Sequence, residues 1–98
     1  MTKSELVLRL SKKYPHLYQR DIETLVATIF DDISQTLVDG GRVELRGFGA
    51  FSIRKRDARK ARNPKNGQEV HIGERYAIYF RTGKELRERV NKPSVIQG

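Results

Sequence analysis

Apolar residues recur at helical spacing near the start of the chain, between Thr2 and Pro15. Thr2 and Glu5 have the spacing of a capping box, in which the hydroxyl accepts a hydrogen bond from the backbone three residues later. Proline disfavours helical geometry at the residue before it. The pattern therefore predicts a first helix over about residues 3–13.

A longer apolar stripe follows and keeps the helical period for about four turns. Its members are Ile22, Leu25, Val26, Ile29, Phe30, Ile33 and Leu37. Gly40 and Gly41 supply a stop, so the stripe predicts a second helix that ends before them. One short helix cannot cover a stripe of this length. We expect it to pack partly against a sheet and partly against a second subunit.

After Gly41 the apolar period changes to two, which is typical of strands. The alternation predicts a hairpin over about residues 42–54, with a tight turn at Gly47-Phe48-Gly49. A second pair of alternating segments flanks the turn signal Asn66-Gly67. It predicts a two-stranded ribbon arm over about residues 54–75, which should be mobile until it binds a partner because isolated ribbons are weakly stable.

The last part of the chain has a third alternating segment at about residues 76–80, which predicts another core strand. Thr82 and Glu85 then repeat the capping-box spacing and predict a short helix through about Val90. We expect residues 92–98 to form a flexible C-terminal tail.

The charges are divided unevenly between two halves of the chain. Residues 1–41 hold five basic and six acidic side chains, whereas residues 42–98 hold fifteen basic and six acidic ones, for a net charge of +8 overall. Residues 54–65 alone carry seven Lys or Arg against one Asp. Such a basic segment inside a folded domain is typical of a surface that binds a polyanion, most often a nucleic acid. The alternative is a solvated charge run.

The composition limits the class of protein further. A chain of 98 residues with 37% hydrophobic side chains and no Trp forms one small domain, which gains stability from an oligomeric interface. The lack of Cys excludes disulfides and thiolate chemistry, and it is compatible with a reducing compartment. There is no apolar signal segment and no stretch of about 18 apolar residues. We therefore expect a cytoplasmic protein with no membrane partner.

Nothing in the sequence predicts an active site, a metal site or a cofactor. His16 and His71 lie in different halves and have no partner at a ligand spacing. Asp31 and Asp32 are adjacent on a helix, so their side chains diverge by about 100°. The Gly residues fit neither a phosphate-binding loop nor a dinucleotide fingerprint. We expect a protein that is not an enzyme.

Three groups of residues could bind a nucleic acid. Lys3 and Lys84 lie beside hydroxyl-bearing residues at predicted helix starts, the composition of a phosphate clamp. Ordinary capping is the better explanation for either site alone, and the presence of both sites in one basic chain makes the two explanations about equal. Arg42, Glu44 and Arg46 share the solvent face of one predicted strand, where an arginine can enter a narrow minor groove. On that face Glu44 could orient Arg42 or Arg46, or accept a hydrogen bond from a base.

Pro64 lies at the predicted tip of the ribbon, between basic and turn-forming residues. One interpretation is that this proline only sets the turn. The rigid apolar ring is also a wedge that can enter a step between two bases.

Three motifs make the chain similar to a known family. The segments Arg46-Gly47-Phe48-Gly49-Ala50-Phe51, Arg62-Asn63-Pro64-Lys65-Asn66-Gly67 and Thr82-Gly83-Lys84-Glu85-Leu86 resemble the bacterial HU/integration-host-factor family of DNA-bending proteins. The resemblance covers about residues 1–91, as one domain. Within the family, the starts of the chain and of the first strand are most similar to the beta type of integration host factor chain.

The resemblance implies an α+β fold with a helical base and a three-stranded antiparallel sheet extended into a two-stranded β-ribbon arm, in an intertwined dimer. It implies that Pro64 intercalates into the minor groove of double-stranded DNA and bends it. The arm contacts that it implies are Arg59, Lys60, Arg62, Asn63 and Lys65. It also implies a role in nucleoid organisation, transcription, translation regulation, recombination and replication, with an alpha-type integration host factor subunit as partner.

Other interpretations remain open. Within the family, the chain could form an HU-like homodimer with little sequence preference. An RNA-binding or ribosome-associated module would rely on exposed aromatic residues for stacking, and residues 54–75 contain no Phe, Tyr or Trp. A small nuclease would need a carboxylate or His cluster that the sequence lacks.

Overall fold

The computed structural model describes residues 1–92 and belongs to the α+β class, as predicted. Within this range the chain forms three helices and five strands. They are α1 (Lys3–Lys13), α2 (Gln19–Val38), β1 (Val43–Leu45), β2 (Gly49–Arg56), β3 (Arg59–Arg62), β4 (Glu69–Ile72), β5 (Arg75–Thr82) and α3 (Lys84–Val90). The chain divides into two compact units, residues 1–35 and the residues from Thr36 onward.

α1 begins and ends at the cap and stop signals that its sequence contains. Oγ1 of Thr2 accepts a hydrogen bond from the backbone N–H of Glu5 at 3.2 Å. At the other end, the amide of Tyr14 donates to the carbonyl oxygen of Leu10 at 2.9 Å, and Pro15 cannot continue the helix. The predicted bounds of the first helix are confirmed.

The core of the first unit is formed by one face of α1 and the start of α2. Val7, Ile22 and Val26 are buried there, and Leu6 and Leu10 pack against them. These residues recur every three or four positions, so burying them uses one side of each helix.

Several other apolar side chains of α2 are exposed within the described residues, although Leu37 near its end is buried. Leu25 is 56% exposed, Ile29 57% and Phe30 47%. A helix with apolar residues on a solvent-exposed face is unusual in a stable monomer. The expectation that a second subunit covers this face stays a prediction.

α2 ends at the predicted glycine pair. Gly40 adopts φ 84°, in the left-handed region, and its amide donates to the Leu37 carbonyl oxygen at 3.0 Å. The amide of Gly41 donates to the Thr36 carbonyl oxygen at 2.8 Å. These bonds satisfy the last carbonyl groups of the helix, which explains why the stop signal is effective.

β1, β2 and β5 form a three-stranded antiparallel sheet in the order β1-β2-β5. The turn between β1 and β2 is closed by the amide of Phe48, which donates to the Leu45 carbonyl oxygen at 2.9 Å. Gly47 lies in this turn with φ 85°, a conformation that glycine adopts at low cost. The predicted hairpin is confirmed.

The two faces of this sheet differ in character, because side chains alternate along each strand. One face is apolar, and on it the ring of Phe80 lies 5.5 Å from that of Phe48 and 4.7 Å from that of Phe51, between centroids. Ile78 is on the same face and is 66% exposed. The opposite face carries the polar and charged residues Glu44, Ser52, Arg54, Arg56, Arg75, Tyr79 and Arg81.

β3 and β4 form a separate two-stranded antiparallel ribbon. A single ribbon over residues 54–75 was expected, but the ladder stops after Arg56↔Arg75 and resumes at Arg59↔Ile72 in the same register. Residues 57–58 and 73–74 between them are outside the strands. They include Asp, Ala, Gly and Glu, which are poor strand formers, so the pairing is weakest there.

The start of α3 differs from the prediction. Its N-cap is Gly83, which makes no side-chain cap hydrogen bond, and Thr82 is the last residue of β5. The proposed capping box of Thr82 and Glu85 is therefore wrong, because pairing of Thr82 with Gly49 keeps Thr82 in the strand. α3 ends at Val90, and the side-chain amide of the next residue, Asn91, donates to the Arg87 carbonyl oxygen at 2.7 Å. The predicted tail lies, from residue 93 onward, outside the described residues.

Candidate nucleic-acid interface

Pro64 lies at the tip of the ribbon, in the loop between β3 and β4, and is exposed. The amide of Asn63 donates to the Gln68 carbonyl oxygen at 2.8 Å, and the amide of Gly67 donates to the Asn63 carbonyl oxygen at 2.8 Å. Oδ1 of Asn63 also accepts from the amide of Lys65 at 2.9 Å. Residues on both sides of Pro64 are thus held by hydrogen bonds while its ring faces solvent.

The second half of the tip is held in a similar way. Oδ1 of Asn66 accepts from the amide of Gln68 at 2.9 Å, and Gly67 adopts φ 70°. Nη1 of Arg62 donates to the Gly67 carbonyl oxygen at 3.2 Å. The turn signal Asn66-Gly67 therefore acts through a side-chain hydrogen bond and a left-handed glycine, as in other turns of this type.

The stem of the ribbon carries the basic residues of the predicted arm. Cross-strand pairing places Lys60 opposite His71 and Arg62 opposite Glu69, so alternation gives these residues one polar face. Nζ of Lys60 lies 3.6 Å from Oε1 of Glu69. Arg59 pairs with Ile72 and belongs to the other face, and its side chain is exposed.

On the sheet, the predicted strand residues and Lys84 line one groove of about 670 Å³. Arg42, Glu44 and Arg46 are all part of this groove. Nε of Arg42 donates to Oε1 of Glu44 at 2.7 Å, so Glu44 orients Arg42 rather than Arg46. Arg46 has no carboxylate partner within salt-bridge distance among residues 1–92. Nζ of Lys84 lies 3.9 Å from Oε1 of Glu88, one helical turn away.

Lys3 belongs to the first unit, where it is the first residue of α1. It lines a groove of about 480 Å³ together with Ser4, Gln19 and Thr24. The neighbouring hydroxyls of Thr2 and Ser4 are hydrogen-bonded to each other at 3.0 Å.

Comparison with known proteins decides the family. The model of the family described as bacterial DNA-binding protein matches residues 1–91. This chain belongs to the HU family of bacterial DNA-binding proteins. The HU family consists of architectural DNA-binding proteins and is not a family of enzymes.

Several solved structures are similar over nearly the whole of this chain. Anabaena HU in a cocrystal with DNA is 32% identical, with a TM-score of 0.84, and the match covers 95% of this chain and 100% of that one. HU from Thermotoga maritima is 26% identical, with a TM-score of 0.62, and the match covers 93% and 100%. A mutant of transcription factor 1 is also 26% identical, with a TM-score of 0.60, and the match covers 92% and 90%.

Besides the site residues predicted individually, four arginines on the sheet and one on α3 belong to this basic surface, and Arg54 and Arg56 among them come from the basic run 54–65. Arg54 and Arg81 lie on the polar face of the sheet, and Arg56 pairs with Arg75 in its last rung. Arg87 lines the groove that contains Arg46. The sequence pattern that predicts these strand arginines is their alternation with the core positions of β2 and β5, because alternation makes each of them point away from the apolar face.

The base of the ribbon is also strongly basic. Lys55, Arg56, Arg59 and Arg75 line a groove of about 340 Å³ together with Asp57. Nζ of Lys55 lies 3.2 Å from Oε1 of Glu74, across the interrupted part of the ladder. Two arginines directly opposite each other repel, so a bound anion would stabilise this rung.

Residues 1–92 contain neither a metal-binding cluster of His, Asp and Glu side chains nor a membrane-spanning helix. Over residues 1–92, no three His, Asp or Glu side chains are grouped so that they could hold a metal ion. None of the helices in this range has the length and apolar character required to span a bilayer.

Proposed function

We propose that this HU-family chain is a beta-type integration host factor subunit. It binds the minor groove of double-stranded DNA with its ribbon arm and bends the DNA sharply by intercalating Pro64. In the bacterial cytoplasm it would associate with the nucleoid and support transcription, translation regulation, recombination and replication. The observation that carries the proposal is the exposed Pro64 ring at the tip of a cationic ribbon.

The geometry of the tip supports intercalation. A wedge must be rigid and apolar, and it must project beyond the charged groups that approach the phosphates. Hydrogen bonds at Asn63 and Gly67 hold the loop on both sides of Pro64, and its own ring fixes one backbone angle. Little further ordering of the loop is then needed when DNA binds, which lowers the entropic cost of binding.

The remaining contacts fall into two groups. Arg59, Lys60, Arg62, Asn63 and Lys65 on the arm, with Lys3 and Lys84 elsewhere, would bind phosphates and sugar edges, which position the protein without reading sequence. Arg42, Glu44 and Arg46 would read sequence. The hydrogen bond from Arg42 to Glu44 uses the carboxylate within the protein, and Arg46 is left to enter a narrow, negative minor groove.

We further propose that the functional unit is an intertwined dimer. The exposed apolar side chains on α2 and on the apolar face of the sheet, among them Ile29 and Ile78, support this proposal. A beta-type chain would pair with an alpha-type subunit of integration host factor.

An HU-like homodimer with little sequence preference is the second candidate. It is favoured by the 32% identity to Anabaena HU, which was crystallised with DNA. In that case Arg46 and Glu44 would contribute to affinity but not to the choice of site. Pro64 could have the same role in both candidates.

Energy transfer between dyes at the two ends of a short duplex would test the proposal, since bends of roughly 20–90° per kink bring the ends together. The chain should be measured alone and with an alpha-type subunit. We expect strong energy transfer on binding. A complex that forms without a rise in energy transfer would overturn the proposed bending.

A further inference from the structure

Tyr79 and Arg54 form a contact on the polar face of the sheet. The guanidinium carbon of Arg54 lies 3.6 Å from the centroid of the Tyr79 ring. Cation–π contacts extend to about 6 Å, so this is close stacking. Neither residue belongs to the apolar core of the sheet.

The strand register explains why the two side chains meet. Arg54 pairs with Ala77, and Tyr79 pairs with Ser52. Arg54 and Tyr79 are therefore diagonal neighbours on adjacent strands, a relation within reach of long and aromatic side chains. Their direct partners, Ala77 and Ser52, are small and leave the space between the strands to the stacked pair.

The contact holds Arg54 without neutralising it. Several other basic residues are held by carboxylates: Arg42 by Glu44, Lys55 by Glu74, Lys60 by Glu69 and Lys84 by Glu88. A carboxylate cancels the charge that it orients. The Tyr79 ring has no net charge, and stacking leaves the in-plane N–H donors of the guanidinium open to an anion.

We propose that Arg54 binds a DNA phosphate on the polar face of the sheet and that Tyr79 is the positioning residue that preorganises it. The inference rests on the proposed DNA-binding function and adds two residues to it. Arg54 faces the same side of the sheet as Glu44 and Arg81, between the groove at Arg46 and the base of the ribbon. The ring restricts the rotamers of Arg54 before DNA arrives, so less conformational freedom is lost on binding.

Four variants test this proposal by equilibrium titration of duplex DNA at several salt concentrations. Arg54→Ala should weaken binding to all sequences and lower the salt slope by about 1, as expected for one lost phosphate contact. Tyr79→Phe keeps the ring and should bind like the parent. Tyr79→Leu should weaken binding roughly two- to tenfold, the cost of ordering one flexible side chain. In Arg54→Ala, the added Tyr79→Leu change should have no further effect.

Controls separate this proposal from the function on which it rests. Lys12→Ala removes one charge from an exposed position outside the proposed site and should leave affinity nearly unchanged. If the parent chain bends DNA and Arg62→Ala weakens binding, but Arg54→Ala changes neither affinity nor salt slope, the present inference is wrong and the proposed function stands. If the parent chain does not bind DNA, the proposed function itself fails.

The positioning role has its own contrary outcome. Equal losses from Tyr79→Leu in the parent and in the Arg54→Ala background would show that Tyr79 acts independently of Arg54. Urea unfolding of each variant checks that the sheet is intact. If Tyr79→Leu does not fold, Arg54→Lys is the variant to measure, because it keeps the charge but cannot form the planar stack. An affinity equal to that of the parent would then show that Tyr79 does not preorganise Arg54.

Discussion

Arg42 and Glu44, two residues apart along the chain, are joined by a hydrogen bond of 2.7 Å from Nε to Oε1. Their side chains are 56% and 70% exposed. An ion pair with this exposure contributes about 0–1 kcal/mol to stability. The ion pair therefore matters for geometry more than for stability. The Glu44 carboxylate fixes the direction of Arg42, which lines the same groove as Arg46.

Glu44→Ala should reduce discrimination between DNA sites more than it reduces affinity. Without the carboxylate, Arg42 is free to contact phosphates of any sequence. The attraction between Glu44 and Arg42, which competes with contacts from Arg42 to DNA, is then lost. We expect the gap between a site selected from a random duplex library and random duplexes to narrow by about 1–3 kcal/mol, comparable to one mismatched base pair. Competitive titrations measure this gap.

Lys84→Ala is the matched control for this experiment. It should weaken binding to selected and random duplexes alike, because phosphate contacts carry no sequence information. If Glu44→Ala and Arg46→Ala also lose affinity uniformly, the protein is HU-like and the beta-type assignment is wrong.

The sequence predicts best those features that depend on neighbouring residues. α1 has the predicted bounds because its cap at Thr2 and its stop at Pro15 are local. The start of α3 was predicted wrongly because Thr82 pairs with Gly49, which is 33 positions earlier in the chain. The same limit explains why the Arg54–Tyr79 contact was not foreseen: it depends on the register of β2 against β5.

In the candidate site too, features set by neighbouring residues are predictable, and features set by side-chain contacts or strand pairing are not. The basic run and Pro64 are visible in the sequence, and the structure places Pro64 at the predicted turn. Which arginine Glu44 orients could not be deduced, because Arg42 and Arg46 are equally far from it along the chain. Arg75 and Arg81 of β5 share a face by alternation, but which residues of β2 lie beside them emerges only from the strand pairing.

Gly49→Ala should destabilise the sheet. A Cβ at this buried position would lie 2.5 Å from Cζ of Phe80 and 2.7 Å from the carbonyl oxygen of Arg81. Neither atom can move freely, since the ring packs on other aromatic residues and the carbonyl belongs to a strand. We expect a loss of about 1–3 kcal/mol in the free energy of unfolding, as for other overpacked sites. Urea denaturation measures it.

Gly73→Ala is the control for the glycine experiment. Nothing lies within 4 Å of the Cβ position at Gly73, and its φ is not in the left-handed region. The free energy of unfolding should change by less than about 1 kcal/mol. Equal losses at both positions would contradict the steric explanation for Gly49.

Binding to DNA should depend steeply on salt. The basic residues of the arm and the sheet would neutralise many phosphates in a dimer, and about six to ten contacts lower affinity by roughly 10³–10⁵ between about 50 and 200 mM salt. Titrations of one duplex across this range measure the slope. A flat response would mean that the basic run is only a solvated surface.

Folding should be coupled to dimer formation. Apolar side chains such as Ile29 and Ile78 are more than half exposed in the single chain, and a small domain has little other core to compensate. The midpoint of thermal unfolding should therefore rise with protein concentration. Sedimentation at micromolar concentration should detect no folded monomer. A monomer that unfolds cooperatively, with a midpoint independent of concentration, would contradict the proposed dimer.

Pro64→Ala should separate binding from bending. The substitution keeps every charge on the arm and removes the rigid ring, while the hydrogen bonds of Asn63 and Lys65 that hold the tip remain available. Encounter with DNA should survive, because the arginines and lysines drive it. The bend should shrink, since the unstacking of a base step, which costs a few kcal/mol, is no longer aided by the wedge.

The choice of duplex makes this last experiment specific to intercalation. Affinity for intact DNA should fall more than affinity for DNA that is nicked or mismatched at the kink, where unstacking costs less. Energy transfer between dyes at the duplex ends reports the angle in each case. If the Pro64→Ala variant bends intact DNA as sharply as the parent, Pro64 only sets the turn, and another residue of the ribbon must act as the wedge.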